Sequence, residues 1–408
     1  MARTGPGGLP VRPSSLRRAP PRRRGEPVSS GRIGRLRADR GAPCPIGGAA
    51  IKPVEPGVAS LELSPPQGAP WARPIQGQLV ETVLHSRLLQ GNRLGDPPDR
   101  PLWIYLPPSY RAEPDRRFPT IYVLQGLSGQ VDMWKARSGF QPTGVERFDE
   151  LLRQPEVPPC LLVFVDCWTS LGGSQYLDSA GTGRYHSYLC DEVVPAVDAN
   201  FRTLASREHR AISGKSSGGF GAMVTPLLRP DLFSALASHA GDALFEFTYL
   251  PEFPEAVRQL RDHYQGSYTS FWEDFRSRPP MSKPQDRALV EPWCMAACYS
   301  ADRDGNPQLP FDPITGRMRP EIWQRWLGWD PVRLIGSRPA AARSLRGVYL
   351  DGGRRDEWHL EVAAVAVEAA LRDQQVANVH LELFDGGHMG IDYRYPIAVR
   401  YLAELIRP

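Results

Sequence analysis

Short apolar runs alternate with amphipathic stretches from about residue 76 to the end of the chain. Runs rich in Val, Ile, Leu and aromatic residues are typical of strands, and they lie at 79–85, 102–106, 120–125, 160–166, 209–213, 232–238, 346–351 and 378–384. Apolar spacing of three to four residues predicts helices at 144–154, 185–200, 217–228, 357–373 and 394–406. Apolar strands joined by helical crossovers predict an α/β fold, with a mostly parallel central sheet and helices on both faces. The two earliest strands have no helix between them and are expected to form an antiparallel edge.

Two stretches depart from this alternation. Residues 1–75 are rich in Arg, Pro and Gly and lack apolar periodicity, so we predict a disordered segment there and a folded domain at 76–408. Residues 243–340 are too long for a plain crossover. They follow the carboxyl end of a strand, which is where α/β sheets place their ligands, so they are predicted to form a cap or lid insertion.

The charge of the chain is unevenly distributed. Residues 1–40 contain eleven arginines and only two acidic residues, Glu26 and Asp39. Since the whole chain has a net charge of only +4, the remaining residues are mildly acidic. A mildly acidic body does not favour a nucleic-acid partner. No run approaches the roughly 18 apolar residues of a membrane span. Prolines and further arginines follow Arg17-Arg18 where an export signal would be apolar, so a cytoplasmic protein is expected.

The six cysteines show no C-x-x-C pairs, and a structural zinc site is therefore not predicted. Reduced thiols are the simplest expectation for a protein without an export signal. The sequence leaves open whether Cys294 and Cys298 form a disulfide bond.

A candidate nucleophile lies where a predicted strand runs directly into a helix of small residues. The segment 214–218 reads Gly-Lys-Ser-Ser-Gly, which is G-x-S-x-G in the strand–turn–helix context of a nucleophile elbow. The positions two residues before and after the nucleophile must be small, because side chains there would collide across the turn. Glycines flank Ser216 in this way, whereas Ser217 would have Lys215 as a neighbour. Ser216 is therefore the predicted nucleophile.

A candidate general base follows the last predicted strand. His388 lies in the sequence Asp-Gly-Gly-His-Met-Gly at 385–390, on a glycine-flanked loop. A neutral imidazole can accept the proton of a serine hydroxyl and return it to a leaving group. Since a nucleophilic serine and a base are expected together, His388 is the predicted base.

The acid that orients the histidine should follow the strand near 346–351. Asp351, Asp356 and Glu357 suit the chain order of nucleophile, acid and histidine, and Asp385 is more remote. Asp351 ends the strand, while the loop at 352–355 can carry Asp356 towards the histidine. We predict Asp356 as the acid.

Acyl transfer also requires two backbone N–H groups directed at the developing oxyanion. One is expected from Ser217, the residue after the nucleophile, and the other from Leu127 in the Gly-Leu-Ser-Gly loop at 126–129. Gln125, His239 and Asp242 are predicted to line the substrate pocket, since His239 lies just beyond the carboxyl end of a strand.

The chain from about residue 80 to about residue 405 resembles the esterase D-like group of α/β-hydrolases. This group contains enterochelin esterases, feruloyl esterases, S-formylglutathione hydrolases and mycolyltransferases, and the matching stretches are 102–110, 119–126, 185–201, 213–223, 230–233, 350–358 and 386–388. The resemblance implies the α/β-hydrolase fold. It also implies nucleophile Ser216, acid Asp356, base His388 and backbone donors Leu127 and Ser217. Gln125 departs from the group, which usually has histidine there, and Ser217 replaces a common methionine.

The resemblance implies a serine carboxylesterase that forms an acyl-enzyme on Ser216, with a small-molecule ester as substrate and no metal or cofactor. An acyltransferase that passes the acyl group to an alcohol or sugar stays open, as does a non-catalytic binding protein on the same fold. Tryptophans at 293, 323, 326 and 329 either contact an aryl or bulky acyl substrate or pack the insertion's own core. The oligomeric state is undecided, and a homodimer is compatible with the sequence.

Overall fold

The computed structural model describes residues 73–408. Its strands in chain order, β1 to β10, are Gln78–His85, Asp99–Leu106, Thr120–Leu124, Leu161–Val165, Asp178–Ser179, Gly183–Arg184, Arg210–Lys215, Ala235–His239, Gly347–Gly353 and Val379–Phe384. Its helices, α1 to α14, are Pro108–Ala112, Gly144–Leu152, Tyr185–Ser187, Val194–Asn200, Ser217–Leu228, Phe245–Thr248, Phe253–Tyr264, Tyr268–Arg276, Asp286–Tyr299, Pro320–Leu327, Pro331–Ser337, Pro339–Arg343, Leu360–Asp373 and Tyr395–Ile406. The predicted segment 1–75 lies outside the described residues except for its last three.

Eight strands form one sheet in the order β1-β2-β4-β3-β7-β8-β9-β10. Strand β2 pairs antiparallel with both β1 and β4, and the other six neighbours in this sheet, β4, β3, β7, β8, β9 and β10, run parallel. The predicted α/β architecture and its antiparallel edge are therefore confirmed. The short strands β5 and β6 form a separate hairpin-like pair.

The central strands are buried on both faces because helices cover both sides of the sheet. Every residue of β3, β4 and β8 is buried, which agrees with the continuous apolar runs in their sequences. One apolar core contains the buried faces of α2 and α14, and the other contains those of α5 and α13. Helix α2 begins with a capping box between Thr143 and Glu146, which satisfies N–H groups that the first helical turn leaves unpaired.

The stretch 243–340 is largely helical, and α6 to α11 with the start of α12 lie within it. Its aromatic residues mostly pack against one another: Trp326 lies 5.5 Å from Tyr249 and 5.7 Å from Phe253 between ring centroids. Trp323 and Trp326 are buried, so these two tryptophans pack the interior of the stretch. None of the helices within 73–408 combines the length and apolarity needed to cross a membrane.

The thiols of Cys294 and Cys298 are both free and buried in α9, four residues apart. Both approach the same carbonyl oxygen, that of Gly173, at 3.4 Å and 3.9 Å. The disulfide bond that the sequence left open is therefore absent from this structure. Cys44 lies outside the described residues.

Candidate active site

Ser216 lies between β7 and α5 in a strained backbone conformation, with φ 56° and ψ −126°. Residues with side chains rarely adopt positive φ, and such strain persists where the surrounding structure imposes it. Here the Ser216 N–H donates to the carbonyl oxygen of His239 at 2.9 Å, at the end of the neighbouring strand β8. The turn therefore projects the serine side chain beyond the carboxyl edge of the sheet.

Two glycines make this turn sterically feasible. A Cβ atom at position 214 would lie 2.2 Å from the carbonyl oxygen of Gly218, and one at position 218 would lie 2.4 Å from that of Leu124. Neither neighbour is a flexible side chain that could move aside, since both are backbone atoms. The G-x-S-x-G spacing thus has a direct steric cause in this fold.

His388 lies on the loop between β10 and α14 and is 5% exposed. Its Nδ1 lies 2.8 Å from Oδ2 of Asp356, and its backbone N–H donates to the Glu357 carboxylate at 2.7 Å. The ring of Trp358 packs edge-on against the imidazole, with 4.7 Å between centroids. Three consecutive residues of the β9–α13 loop, Asp356, Glu357 and Trp358, therefore fix the position of this histidine.

The structure separates the four acidic candidates from one another. Asp356 contacts His388, whereas Asp351 lies in the core, 2.8 Å from Nδ1 of His239 and 2.9 Å from Nε of Arg394. Burial would raise the pKa of Asp351, but the charges and hydrogen bonds of His239 and Arg394 hold it below its usual value. Asp385 is exposed and pairs with Arg355. Glu357 binds the backbone of His388 rather than its ring.

The loop after β3 lies directly against the nucleophile. A Cβ atom at position 126 would lie 3.2 Å from that of Ser216. Within residues 73–408 the N–H of Leu127 donates to no protein acceptor. Ser217 is the first residue of α5, so its N–H has no intrahelical acceptor. Two free N–H groups are therefore available beside the serine hydroxyl.

Ser216, His388, Leu127 and Ser217 line one cavity of about 350 Å³. Its wall is mostly apolar and includes residues from both the sheet edge and the stretch 243–340, namely Leu127, Thr248, Tyr249, Met281, Val290, Trp358, Leu360 and Met389. Among the hydrogen bonds of the described residues none joins the Ser216 hydroxyl to His388. In enzymes without substrate this contact is often long and shortens when substrate binds.

The three predicted pocket residues have different positions. Asp242 lines the cavity, but Gln125 is buried beside it, in a small space next to Leu127 and Ser217. His239 is fully buried and lies outside the cavity lining. Its ring pairs with Asp351, and its carbonyl oxygen accepts the hydrogen bond of the Ser216 N–H. His239 therefore contacts the nucleophile through its backbone, from the core side of the sheet edge.

Sequence reasoning missed three charged residues at this cavity, Lys215, Arg287 and Glu291. Burial lowers the pKa of Lys215. The guanidinium of Arg287 lies over the ring of Trp358 at 3.8 Å. Burial, together with the charges of nearby acids, raises the pKa of Glu291 to about 8. Helical spacing in 286–299 could have indicated that Arg287 and Glu291 share a face of α9, but not which surface they meet. Within residues 73–408 no group of three or more His, Cys, Asp or Glu side chains is arranged to hold a metal.

The raised pKa of Glu291 predicts a pH-dependent effect on stability. The folded protein retains this proton up to about pH 8, whereas an unfolded glutamate releases it near its ordinary value of 4.5. Stability should therefore fall as pH rises through this window, because the folded state binds more protons. Glu291→Gln is expected to have nearly the melting temperature of the parent at about pH 5 and to exceed it by a few degrees at about pH 9. Thermal melts at both pH values check this, with Glu273→Gln on the exposed side of α8 as a control; an equal difference at both pH values would contradict it.

Comparison with known proteins places the chain in a family. The family model described as "Putative esterase" matches residues 97–397, which include Leu127, Ser216, Asp356 and His388. An endo-1,4-β-xylanase/feruloyl esterase from Xylanibacter ruminicola is 26% identical over 163 residues, covering 38% of this chain and 21% of the relative. Esterase Rv1288 from Mycobacterium tuberculosis is 28% identical over 146 residues, covering 34% of this chain and 28% of the relative.

The matched segments therefore span about a fifth and about a quarter of these two curated relatives. Among solved structures, a ferulic acid esterase superposes with a TM-score of 0.53 at 17% identity, covering 82% of this chain and 100% of that one. At this identity the likeness concerns the fold, and it confirms the predicted α/β-hydrolase architecture. The family match extends over about three quarters of the chain. This chain therefore belongs to the "Putative esterase" family of α/β-hydrolases.

Proposed function

We propose that this protein is a carboxylic-ester hydrolase in which Ser216 is the nucleophile, His388 the general base and Asp356 the acid that orients the base. The proposal rests on one observation: Ser216, with its strained backbone, and His388, which pairs with the Asp356 carboxylate, line the same cavity. Membership of an esterase family supports the reaction type. The free N–H groups of Leu127 and Ser217 support acyl transfer in particular, because they can stabilise an oxyanion.

The reaction begins with attack of the Ser216 hydroxyl oxygen on the ester carbonyl carbon. Nε2 of His388 accepts the hydroxyl proton, and Asp356 stabilises the resulting imidazolium through Nδ1. The N–H groups of Leu127 and Ser217 bind the negatively charged oxygen of the tetrahedral intermediate. The C–O bond to the alcohol then breaks, and the alcohol leaves with the proton from His388. Water attacks the acyl-enzyme in the same way, which releases the acid and restores Ser216.

The cavity wall suggests that the substrate is an ester with a substantial apolar part. Leucine, methionine, valine and tryptophan side chains dominate this wall. Met281 and Val290 come from the stretch 243–340, as do Thr248 and Tyr249, so we assign that stretch the role of a cap that bounds the substrate. The relatives and the structural neighbour include proteins named as feruloyl or ferulic acid esterases, which agrees with an aryl acyl group.

Labelling with a fluorophosphonate probe tests the nucleophile directly. We expect one modified peptide that carries the probe on Ser216, and loss of labelling after heat denaturation, since the reactivity depends on the folded site. Hydrolysis of a panel of aryl and alkyl esters then tests the reaction. Modification of a different serine, or labelling without turnover of any ester, would contradict the proposal.

Product analysis in the presence of competing alcohols tests the role of water. A hydrolase should release mainly the free acid at moderate alcohol concentrations. Preferential formation of a new ester with an alcohol or sugar would instead identify an acyltransferase.

A further inference from the structure

One oxygen of the Asp242 carboxylate is saturated by the protein and the other is not. Oδ2 accepts hydrogen bonds from Nε2 of Gln175 at 2.9 Å, from the Tyr249 hydroxyl at 3.0 Å and from the Ser217 hydroxyl at 3.4 Å. Within residues 73–408, Oδ1 has no hydrogen-bond partner, and it is not among the atoms sealed from solvent. Asp242 is only 6% exposed and lines the cavity that contains Ser216 and His388. One oxygen of this largely buried carboxylate is therefore accessible to a molecule that occupies the cavity.

The carboxylate is held in place by a network that is itself constrained. Gln175 and Tyr176 are consecutive non-glycine residues with positive φ, 49° and 53°. This backbone directs the Gln175 amide to Asp242 and to the Tyr299 hydroxyl, and the Tyr176 hydroxyl to the carbonyl oxygen of Gln125 at 2.6 Å. Such conformations persist where several contacts impose them, and they concentrate at functional sites. Oδ1 is thus a preorganised acceptor rather than a mobile surface group.

The electrostatic surroundings favour a donor as its partner. Burial raises the pKa of Asp242, and the hydrogen bonds from Gln175 and Tyr249, which favour the ionised form, offset that effect only in part. Glu291 adds a second carboxyl group to the same cavity, and its proton makes it neutral at pH 7. Two cationic residues also line the cavity: the guanidinium of Arg287 lies over the ring of Trp358, and burial lowers the pKa of Lys215. Because Oδ1 is accessible from a mostly apolar cavity and has no partner among the described residues, a ligand that supplies a donor there can form a charge-assisted hydrogen bond.

We propose that Asp242 Oδ1 forms a subsite for a hydrogen-bond donor on the substrate, a hydroxyl or an ammonium group, located beside the nucleophile. The enzyme then selects esters that carry such a group over alkyl esters of the same size. This inference rests on the proposed function, because the subsite opens into the cavity that contains Ser216. Ser217 links the two, since it follows the nucleophile in sequence and its hydroxyl donates to Asp242.

Matched ester series test the subsite in the folded, full-length protein. The acyl arm uses p-nitrophenyl esters of 6-aminohexanoate, 6-hydroxyhexanoate and heptanoate, and the alcohol arm uses acetates of 6-aminohexanol, hexanediol and heptanol. In at least one arm the kcat/KM of the donor-bearing ester should exceed that of its alkyl counterpart by about 10–100-fold, as expected for one buried hydrogen bond. A preference for ammonium over hydroxyl would identify charge pairing as the source, and equal preference would identify hydrogen bonding.

Asp242→Asn provides the matched variant. The amide oxygen can retain the bonds from Gln175, Tyr249 and Ser217, while its NH₂ group replaces the acceptor that faces the cavity. We expect the ratio of donor-bearing to alkyl kcat/KM to fall about 10-fold or more, whereas Asp262→Asn on the exposed side of α7 should leave the ratio unchanged.

The wild-type ratios alone keep the inference falsifiable if Asp242→Asn does not fold. Turnover of all the esters with equal kcat/KM, or an unchanged ratio in folded Asp242→Asn, would overturn the subsite and leave the proposed function intact. Absence of ester turnover together with absence of fluorophosphonate labelling at Ser216 would overturn both.

Discussion

Replacement of Ser216 by alanine should reduce p-nitrophenyl ester hydrolysis by about 10⁴–10⁶-fold, since loss of the nucleophile removes the covalent route altogether. Ser216 lies on a strained turn and lines the cavity. Alanine has the same Cβ atom and meets the same backbone constraint, so the fold should be preserved. Initial rates measured over a range of enzyme concentrations check the expected loss.

Two controls separate this effect from misfolding. Thermal melts of Ser216→Ala should lie within a few degrees of the parent protein. Ser138→Ala, at an exposed position away from the cavity, should retain full activity. Residual hydrolysis above about a tenth of the parent rate in a folded Ser216→Ala protein would refute the assignment of the nucleophile.

Replacement of Asp356 by asparagine should lower kcat by about 10²–10⁴-fold. The carboxylate lies 2.8 Å from Nδ1 of His388, where it can hold the proton on that nitrogen and leave Nε2 free to act as the base. An amide that presents its NH₂ group to Nδ1 favours the opposite tautomer and cannot stabilise the imidazolium. Steady-state kinetics with a p-nitrophenyl ester measure the effect, and KM should change much less than kcat because binding contacts are retained.

Asp351→Asn is the informative comparison for Asp356→Asn. Asp351 also pairs with a histidine, but that histidine is His239 in the core, and Arg394 is a second partner. Removing one charge from a buried network is destabilising, so Asp351→Asn should lower the melting temperature. Its effect on kcat should be much smaller than that of Asp356→Asn. A reversed order of the two kcat values would show that the acid has been assigned to the wrong residue.

The two His–Asp pairs have distinct positions relative to the nucleophile. His388 and Asp356 lie on loops at the cavity, where the imidazole can reach the reacting atoms. His239 is the last residue of β8, and Asp351 is its neighbour within β9, two residues before that strand ends; both lie below the turn that contains Ser216. The carbonyl oxygen of His239 accepts the hydrogen bond of the Ser216 N–H, so this inner pair supports the elbow from the core.

Much of the fold followed from local sequence pattern. Buried parallel strands such as β3 and β4 require continuous apolar runs, and those runs are visible in the printed sequence. The elbow is only partly local: a Cβ atom at position 214 would meet the backbone of Gly218, four residues on, whereas one at position 218 would meet the backbone of Leu124 on β3. Features set by contacts within a few residues, or by burial of a whole strand, are therefore readable from sequence.

Other features depended on which distant segments pack together. Asp351, Asp356 and Glu357 lie within seven residues of one another, and only the path of the β9–α13 loop decides which one meets the imidazole of His388. The same holds for His239, whose position after a strand predicted a place in the pocket, although its ring turns into the core. Gln125 is also predicted from sequence to line the pocket. Its side chain is instead buried in a small space beside Leu127 and Ser217, which depends on how the loop after β3 packs against the start of α5.

The sequence by itself determined the alternation of strands and helices, the elbow at Ser216 and the glycine-flanked loop of His388, because each is visible as a periodicity or as a short motif of fixed spacing. Only the tertiary structure decided the partner of His388, the thiol state of Cys294 and Cys298 and the meeting of Asp242 with Glu291 at one cavity wall. The thiol state of Cys294 and Cys298 follows from their burial in α9, beside the carbonyl oxygen of Gly173. His388 and Asp356 lie on two different loops, and Asp242 and Glu291 on different elements, so both meetings depend on how separate segments pack. Local sequence pattern has no physical means of encoding such distances directly.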